Sequence, residues 1–182
     1  MILVHLASGF EEVEALTVVD ILRRVGKETN IVSVTGEKSV KGAHGITVEV
    51  DYLFEDADYG RCEMIVLPGG LPGAYGLRDH SGLTEKIREF SQKGKPLAAI
   101  CAAPLVLGNA GVLKGKRATI YPGMEELLEG AHPVDRPVVR DGNLITAQGP
   151  AIAMEFALAI AEYFCGKETV SQLRKDLLLD RE

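Results

Sequence analysis

Cysteine is scarce in this chain: Cys62, Cys101 and Cys165 are the only three among 182 residues. An odd, widely spaced set excludes a disulfide framework and a Cys-x-x-Cys metal motif. Thiols left unpaired point to a reducing cytoplasm. Basic charge is also in deficit. The formal net charge of -6 speaks against a nucleic-acid partner, which would need a basic face. Long apolar runs are missing as well. The richest window, residues 150–164, is broken by Glu155 and Glu162, so no membrane span is expected. No basic segment precedes the first apolar run, Ile2-Leu3-Val4-His5-Leu6, and no signal peptide is expected. The four histidines, His5, His44, His80 and His132, stand in no metal-ligand spacing, so neither a metal nor another cofactor is expected. His5 lies in an apolar run and reads as a satisfied core histidine, while His80 and His132 read as surface-loop residues. Repeats, linkers and low-complexity tracts are absent too.

What is present is enough for one domain over residues 1–182: the chain is 46% hydrophobic and 25% charged, so it can bury a core. Apolar strand-like runs alternate with helix-like segments. Strands are expected over residues 2–7, 29–34, 64–67, 97–100 and 118–121, with a hairpin excursion over 40–50 and another hairpin around Asp141-Gly142-Asn143. Helices are expected from Phe10 to Val25, closed by Gly26, and over 83–92, 102–110, 151–164 and 168–175. Continuous apolar strands separated by helices argue for a mainly parallel sheet covered on both faces. Ligands in such folds sit at the carboxyl ends of the strands. Ala7-Ser8, Pro68-Gly69-Gly70 and Cys101 all fall at such ends.

The run Leu97-Ala98-Ala99-Ile100 stops at Cys101, and Ala102-Ala103-Pro104 opens a helix-like segment. A buried strand, a sharp turn and a helix start form a nucleophile elbow, which exposes the reactive atom. The helix N-terminus would favour a thiolate there. The alternative is an ordinary buried cysteine at a strand edge, since free cysteine is among the most buried residue types. Gly69-Gly70 lets backbone approach a ligand closely, and its N–H groups with that of Ala102 could form an oxyanion hole. The alternative there is a simple turn.

Ser8 and Glu11 fit a capping box at the start of the first helix. Glu14 shares a helical stripe with Val18, Ile21 and Val25, which is the apolar face. A carboxyl on that face is desolvated and its pKa is raised unless it is paired. A protonated carboxyl beside a thiolate can donate a hydrogen bond and act as general acid or base; otherwise Glu14 reaches the rim or caps backbone groups. The same helix has a second apolar surface, Val13, Leu16 and Val19. It meets either a second subunit, giving a homodimer through this helix, or the 40–50 hairpin of its own chain.

Six segments in order resemble the ThiJ/PfpI superfamily and, within it, the DJ-one branch, the parkinsonism-associated deglycase family. They are Ala7-Ser8-Gly9-Phe10-Glu11-Glu12-Val13-Glu14, Val19-Asp20-Ile21-Leu22-Arg23-Arg24, Val66-Leu67-Pro68-Gly69-Gly70, Ala98-Ala99-Ile100-Cys101-Ala102-Ala103-Pro104, Thr146-Ala147-Gln148-Gly149-Pro150 and Glu155-Phe156-Ala157-Leu158-Ala159-Ile160. The resemblance implies a flavodoxin-like α/β three-layer sandwich and a homodimer. It implies Cys101 as the reactive cysteine, Glu14 as its protonated partner, and Gly69, Gly70 and Ala102 as oxyanion donors. Three positions depart from the pattern. Many members of the branch carry histidine where this chain has Tyr121, an auxiliary donor but a poor base at neutral pH. The protease-like branch carries histidine directly after the nucleophile, where this chain has Ala102. The family often has Gly-Pro-Gly-Thr where this chain has Gly149-Pro150-Ala151-Ile152.

The resemblance and the residues together lead to a cofactor-independent cysteine enzyme acting on small dicarbonyls or glycated groups, of the glyoxalase III or deglycase type. The second expectation is a redox sensor or stress-protective protein that works through oxidation of Cys101. Amidase or peptidase activity ranks last, because no histidine is assignable as the base for Cys101.

Overall fold

The computed structural model describes residues 1–180. Its centre is a seven-stranded sheet. Strand β1 (Ile2–Leu6) leads to helix α1 (Glu12–Arg24), β2 (Thr29–Ser33), the ribbon β3 (Ser39–Lys41) and β4 (Thr47–Glu49), and β5 (Tyr52–Leu53). Then come β6 (Met64–Leu67), α2 (Gly73–Asp79), α3 (Ser81–Gln92), β7 (Leu97–Ile100) and α4 (Pro104–Asn109). The short pair β8 (Arg117–Ala118) and β9 (His132–Pro133) precedes the hairpin β10 (Val138–Asp141) and β11 (Leu144–Ala147), and α5 (Ala153–Asp176) follows. Strand order is β10-β11-β7-β6-β1-β2-β5, and every pairing is parallel except β10 with β11.

Alternation along the strands divides the core in two, because successive side chains point to opposite faces. Ile2, Val4 and Leu6 join Val18, Ile21, Phe156 and Ile160 under α1 and α5. Leu3, Ile65 and Leu67 join Leu77, Ile87, Phe90 and Val106 under α2, α3 and α4. This is the expected three-layer α/β sandwich, with the carboxyl ends of β1, β6 and β7 side by side.

Several expectations change locally. The capping box does not form: α1 starts at Glu12, and its N-cap is Glu11 in extended backbone with no side-chain cap bond. Tertiary bonds outcompete helix winding there. Ala7 to Phe10 make a turn (Phe10 N to Ala7 O, 3.1 Å), and the Glu11 N–H donates to Gly69 O at 2.9 Å. The strand expected at 118–121 stops at Ala118; beyond it Thr119 N–H donates to Thr146 Oγ1 and Tyr121 N–H to Cys101 O. His132 lies in the strand β9 rather than a loop. Helix α2 was not expected, because Gly73 and Gly76 weaken the local signal; burial of Ala74 and Leu77 holds it. The last two expected helices join end to end as α5, with non-helical backbone at Gly166 (φ 81°) between them. His80 is a cap rather than a loose loop residue: its Nδ1 accepts from Leu83 N at 3.0 Å, and its ring lies 4.4 Å from that of Phe54.

His5 is fully buried, with Nε2 2.8 Å from Tyr59 Oη and Nδ1 without a protein partner among the described residues. Burial pushes its pKa down to about 3. A depressed histidine contributes stability that is complete above its unfolded value and lost as pH falls toward the folded one. Glu14, also buried, is raised to about 7, so it acts the other way, stabilising at low pH and losing that contribution as pH rises through 7. Between pH ~7 and ~5 each is worth roughly 2 kcal/mol, with opposite signs. Urea unfolding at the two pH values is expected to show His5→Gln gaining stability on acidification relative to wild type, and Glu14→Gln losing it. Equal pH dependence in all three proteins would refute both assignments.

Candidate active site

Cys101 follows β7 directly and has left-handed backbone (φ 62°), which is unusual for a residue other than glycine. Such a conformation costs about 1–3 kcal/mol and persists where the surroundings over-determine it. Here the Cys101 N–H donates to Ala147 O, and its carbonyl accepts from Tyr121 N–H, both at 2.9 Å. The strand-to-helix elbow expected from the sequence is therefore present. The N–H groups of Gly70 and Ala102 lie near enough to its sulfur to lower the thiol pKa.

Glu14 reaches the same point from α1. It shares its stripe with buried Val18 and Ile21, as the periodicity implies, and is itself inaccessible to solvent. Its Oε2 accepts the Gly69 N–H at 2.8 Å, its carboxyl lies close enough to the Cys101 thiol for the two ionisations to influence each other, and Oε1 is buried with no protein partner among the described residues. The Gly69 N–H, expected as an oxyanion donor, donates to Glu14 instead, while the N–H groups of Gly70 and Ala102 lie near the sulfur. Gly69 serves by its size instead: a β-carbon there would lie 2.6 Å from Cys101 Cβ and 2.9 Å from Glu14 Oε2. Gly70 takes φ 86°, and a β-carbon there would meet the backbone of Gly9 and Glu11.

The ionisation of this pair departs from the simple thiolate expectation. Burial, then the nearby Glu14 carboxylate, pushes the Cys101 thiol up to about 12, against the lowering effect of the Gly70 and Ala102 N–H groups. Burial likewise pushes Glu14 up to about 7, with its Gly69 and Cys101 bonds acting in the opposite direction and the Glu11 charge adding a further rise. The site tolerates one negative charge more readily than two. A thiolate is favoured when Glu14 holds the proton, and the helix N-terminus alone does not produce it.

The sulfur opens into a cavity of about 460 Å³ lined by Glu11, Leu71, Tyr121, Pro122, Met124 and Pro150, with Gly70, Ala102 and Gly123 as backbone wall. Tyr121 stands at the rim, about half exposed, with its ring against Gly149. Sequence reasoning missed the 122–124 segment and Glu11 as lining residues. Pro122 and Gly123 look like any turn in sequence, and Glu11 had been given to the helix cap. Beside the cavity, Glu12 is buried at the start of α1. Its Oε1 accepts from His44 N (2.8 Å) and Ile46 N (3.3 Å), and its Oε2 lies 2.9 Å from His44 Nδ1. Burial raises Glu12, but the His44 side chain and these N–H bonds outweigh it and hold the group below the usual range. Glu11, Glu12 and His44 thus lie within 4.8 Å of one another through a contact distant in sequence. Both oxygens of Glu12 are spent on anchoring the β3–β4 ribbon.

A mainly parallel α/β sandwich with a cysteine at a strained strand-to-helix turn, and a buried carboxyl against its sulfur, defines the class: a flavodoxin-like domain with a cysteine elbow at the carboxyl edge of the sheet. Within that class the particular assignment is specific. The model of the DJ-1/PfpI family matches residues 1–163, and the chain belongs to that family, in its DJ-1 branch. It is 40% identical over 179 residues to Protein dj-1beta of Drosophila melanogaster, covering 97% of this chain and 96% of the relative. It is 34% identical over 181 residues to the Parkinson disease protein 7 homolog of Danio rerio, with coverage of 97% and 96%. The structure of oxidized Toxoplasma gondii DJ-1 superposes with a TM-score of 0.93 at 34% identity over 97% of both chains. That of Drosophila melanogaster DJ-1beta gives 0.91 at 40% identity over 97% of this chain and 96% of the other.

Proposed function

We propose that this protein is a cysteine enzyme that converts small reactive dicarbonyls to hydroxy acids without a cofactor. The observation that carries the reading is the convergence of Cys101, Glu14 and the Gly70 and Ala102 N–H groups at the base of one largely apolar cavity. The Cys101 sulfur adds to the aldehyde carbon of methylglyoxal, and the new alkoxide takes a proton to give a hemithioacetal. Glu14 removes the C1 proton and returns one to C2, which turns the adduct into a lactoyl thioester. Water cleaves the thioester, releasing lactate and restoring the thiol, so the sum is methylglyoxal plus water to lactate. Burial places the Glu14 pKa near 7, where a group can both take and give a proton. The N–H donors stabilise the oxyanions that form before and after the shift. The same addition on glycated thiols or amines would be observed as deglycase activity. Tyr121, at the rim, is an auxiliary donor in this scheme.

The test is lactate formation from methylglyoxal with no glutathione added, followed by proton NMR. Stoichiometric lactate supports the reading, and consumption of methylglyoxal without lactate refutes it. A redox role is the second reading. The N–H groups and the Glu14 carboxyl around the sulfur suit a cysteine sulfinate as well, and the Toxoplasma relative was solved in an oxidized form. A two-oxygen adduct on Cys101 after mild peroxide, with no lactate formed, selects that role. Peptidase chemistry lacks support, since no histidine lines the cavity among the described residues.

The reading includes a homodimer through α1, in the reducing cytoplasm. Val19 is covered within the chain, but Val13, Leu16 and Ile46 stay exposed on one surface beside His44 and Thr17. Among the described residues no helix is long and apolar enough to cross a membrane, and neither a membrane nor a nucleic acid is part of the proposal.

A further inference from the structure

We propose that Glu11 is a specificity residue: its carboxylate at the mouth of the Cys101 cavity selects neutral and cationic electrophiles over anionic ones of equal size. The inference rests on the reading that Cys101 receives a carbonyl electrophile, and it names the charge class of that substrate. Among the described residues the cavity walls carry no compensating cation: Leu71, Tyr121, Pro122, Met124 and Pro150 are uncharged, and no lysine, arginine or histidine lines the space. Glu11 is the one carboxylate among the described lining residues, and Glu14 is the other acid near the sulfur.

The backbone of Glu11 is pinned on both sides and its side chain is mostly covered. Its N–H donates to Gly69 O at 2.9 Å, its carbonyl accepts from Ala15 N at 3.1 Å, and its side chain is only 15% exposed. A charge held that far from bulk water is weakly screened. Its influence extends to the base of the site, because it is one of the charges that lift Glu14. The nearest cation is His44, whose Nδ1 lies 3.4 Å from Glu11 Oε1 but closer, at 2.9 Å, to Glu12 Oε2. One imidazolium against two carboxylates leaves the cluster negative even when His44 is protonated. An aldehyde bearing a carboxylate, such as glyoxylate, would enter against this charge. Methylglyoxal, or a dicarbonyl adduct on an amine or guanidinium, would not.

The filter can be measured without turnover, by alkylating Cys101 with iodoacetamide (neutral) and iodoacetate (anionic). Rates are read at the Cys101 peptide by mass spectrometry, and their ratio is normalised to the same ratio for glutathione. The wild-type ratio is expected to favour iodoacetamide by roughly five- to tenfold, the effect of one weakly screened charge at short range. Glu11→Gln should return the ratio to near that of glutathione, and Glu11→Asp should keep most of it. A wild-type ratio equal to that of glutathione, or one unchanged by Glu11→Gln, overturns the proposal. Because alkylation needs only the thiol, a selective ratio in a protein that forms no lactate would refute the dicarbonyl reading and leave the filter standing. Lactate formation with no charge selectivity would do the reverse.

Discussion

Cys101→Ser is expected to lower methylglyoxal turnover by at least ~10³-fold, to the background of the solution reaction, because the covalent path is lost. The side chain stays nearly the same size, so the elbow, with its bonds to Ala147 and Tyr121, should persist and the melting temperature should change little. What is lost is nucleophilicity: an alcohol beside a buried carboxyl does not ionise in the accessible pH range. Cys62→Ser provides the control. Cys62 is buried, its thiol donates to Met64 O at 3.2 Å, and burial pushes it up to about 11, so nothing marks it as a second nucleophile. Turnover should survive that change. Lactate formation by Cys101→Ser at the wild-type rate would remove the cysteine from the mechanism.

Glu14→Gln is expected to reduce kcat by ~10²–10⁴-fold, the range for loss of a positioned acid or base, with KM changed far less. Glutamine matches glutamate in shape, and its carbonyl oxygen can still accept the Gly69 N–H that Oε2 accepts at 2.8 Å. The amide cannot carry a proton from one carbon of the adduct to the next. Steady-state kinetics separates the two possibilities. A fall confined to kcat identifies a proton-transfer group, whereas a rise confined to KM would recast Glu14 as a binding residue.

Much of this site was legible in the chain because it is encoded by short-range pattern. Cys101 ends an apolar run and precedes small residues and a proline. Glu14 interrupts an apolar helical stripe at the spacing of Val18 and Ile21. Gly69 and Gly70 end a neighbouring strand of a fold whose strand ends carry ligands. The features that were misread are set by contacts between segments far apart in sequence. Ser8 and Glu11 satisfy a local capping pattern, but Glu11 N–H finds Gly69 O first. Nothing local shows which way the Gly69 N–H points, so the sequence suggests an oxyanion donor there; a carboxyl from 55 residues away claims it. The pairing of Glu12 with His44, and the closing of the cavity by Pro122 and Met124, are likewise matters of tertiary packing. The thiolate expected from the elbow alone was too simple for the same reason, since it omitted burial and the charge of Glu14.

The coupling of Cys101 to Glu14 underlies the enzymatic and the redox reading alike, and the pH profile of Cys101 alkylation by iodoacetamide tests it most directly. In the wild type the pair gives up its first proton near pH 7, where burial has placed Glu14, and for Cys101 to react part of the resulting charge must reside on the sulfur. The alkylation rate should therefore rise through about 7, level off, and rise again only toward about 12, where the second proton leaves. In Glu14→Gln the step near 7 should vanish, leaving a single rise below about 12, because the carboxylate no longer repels the thiolate. Superimposable profiles for the two proteins would contradict the account.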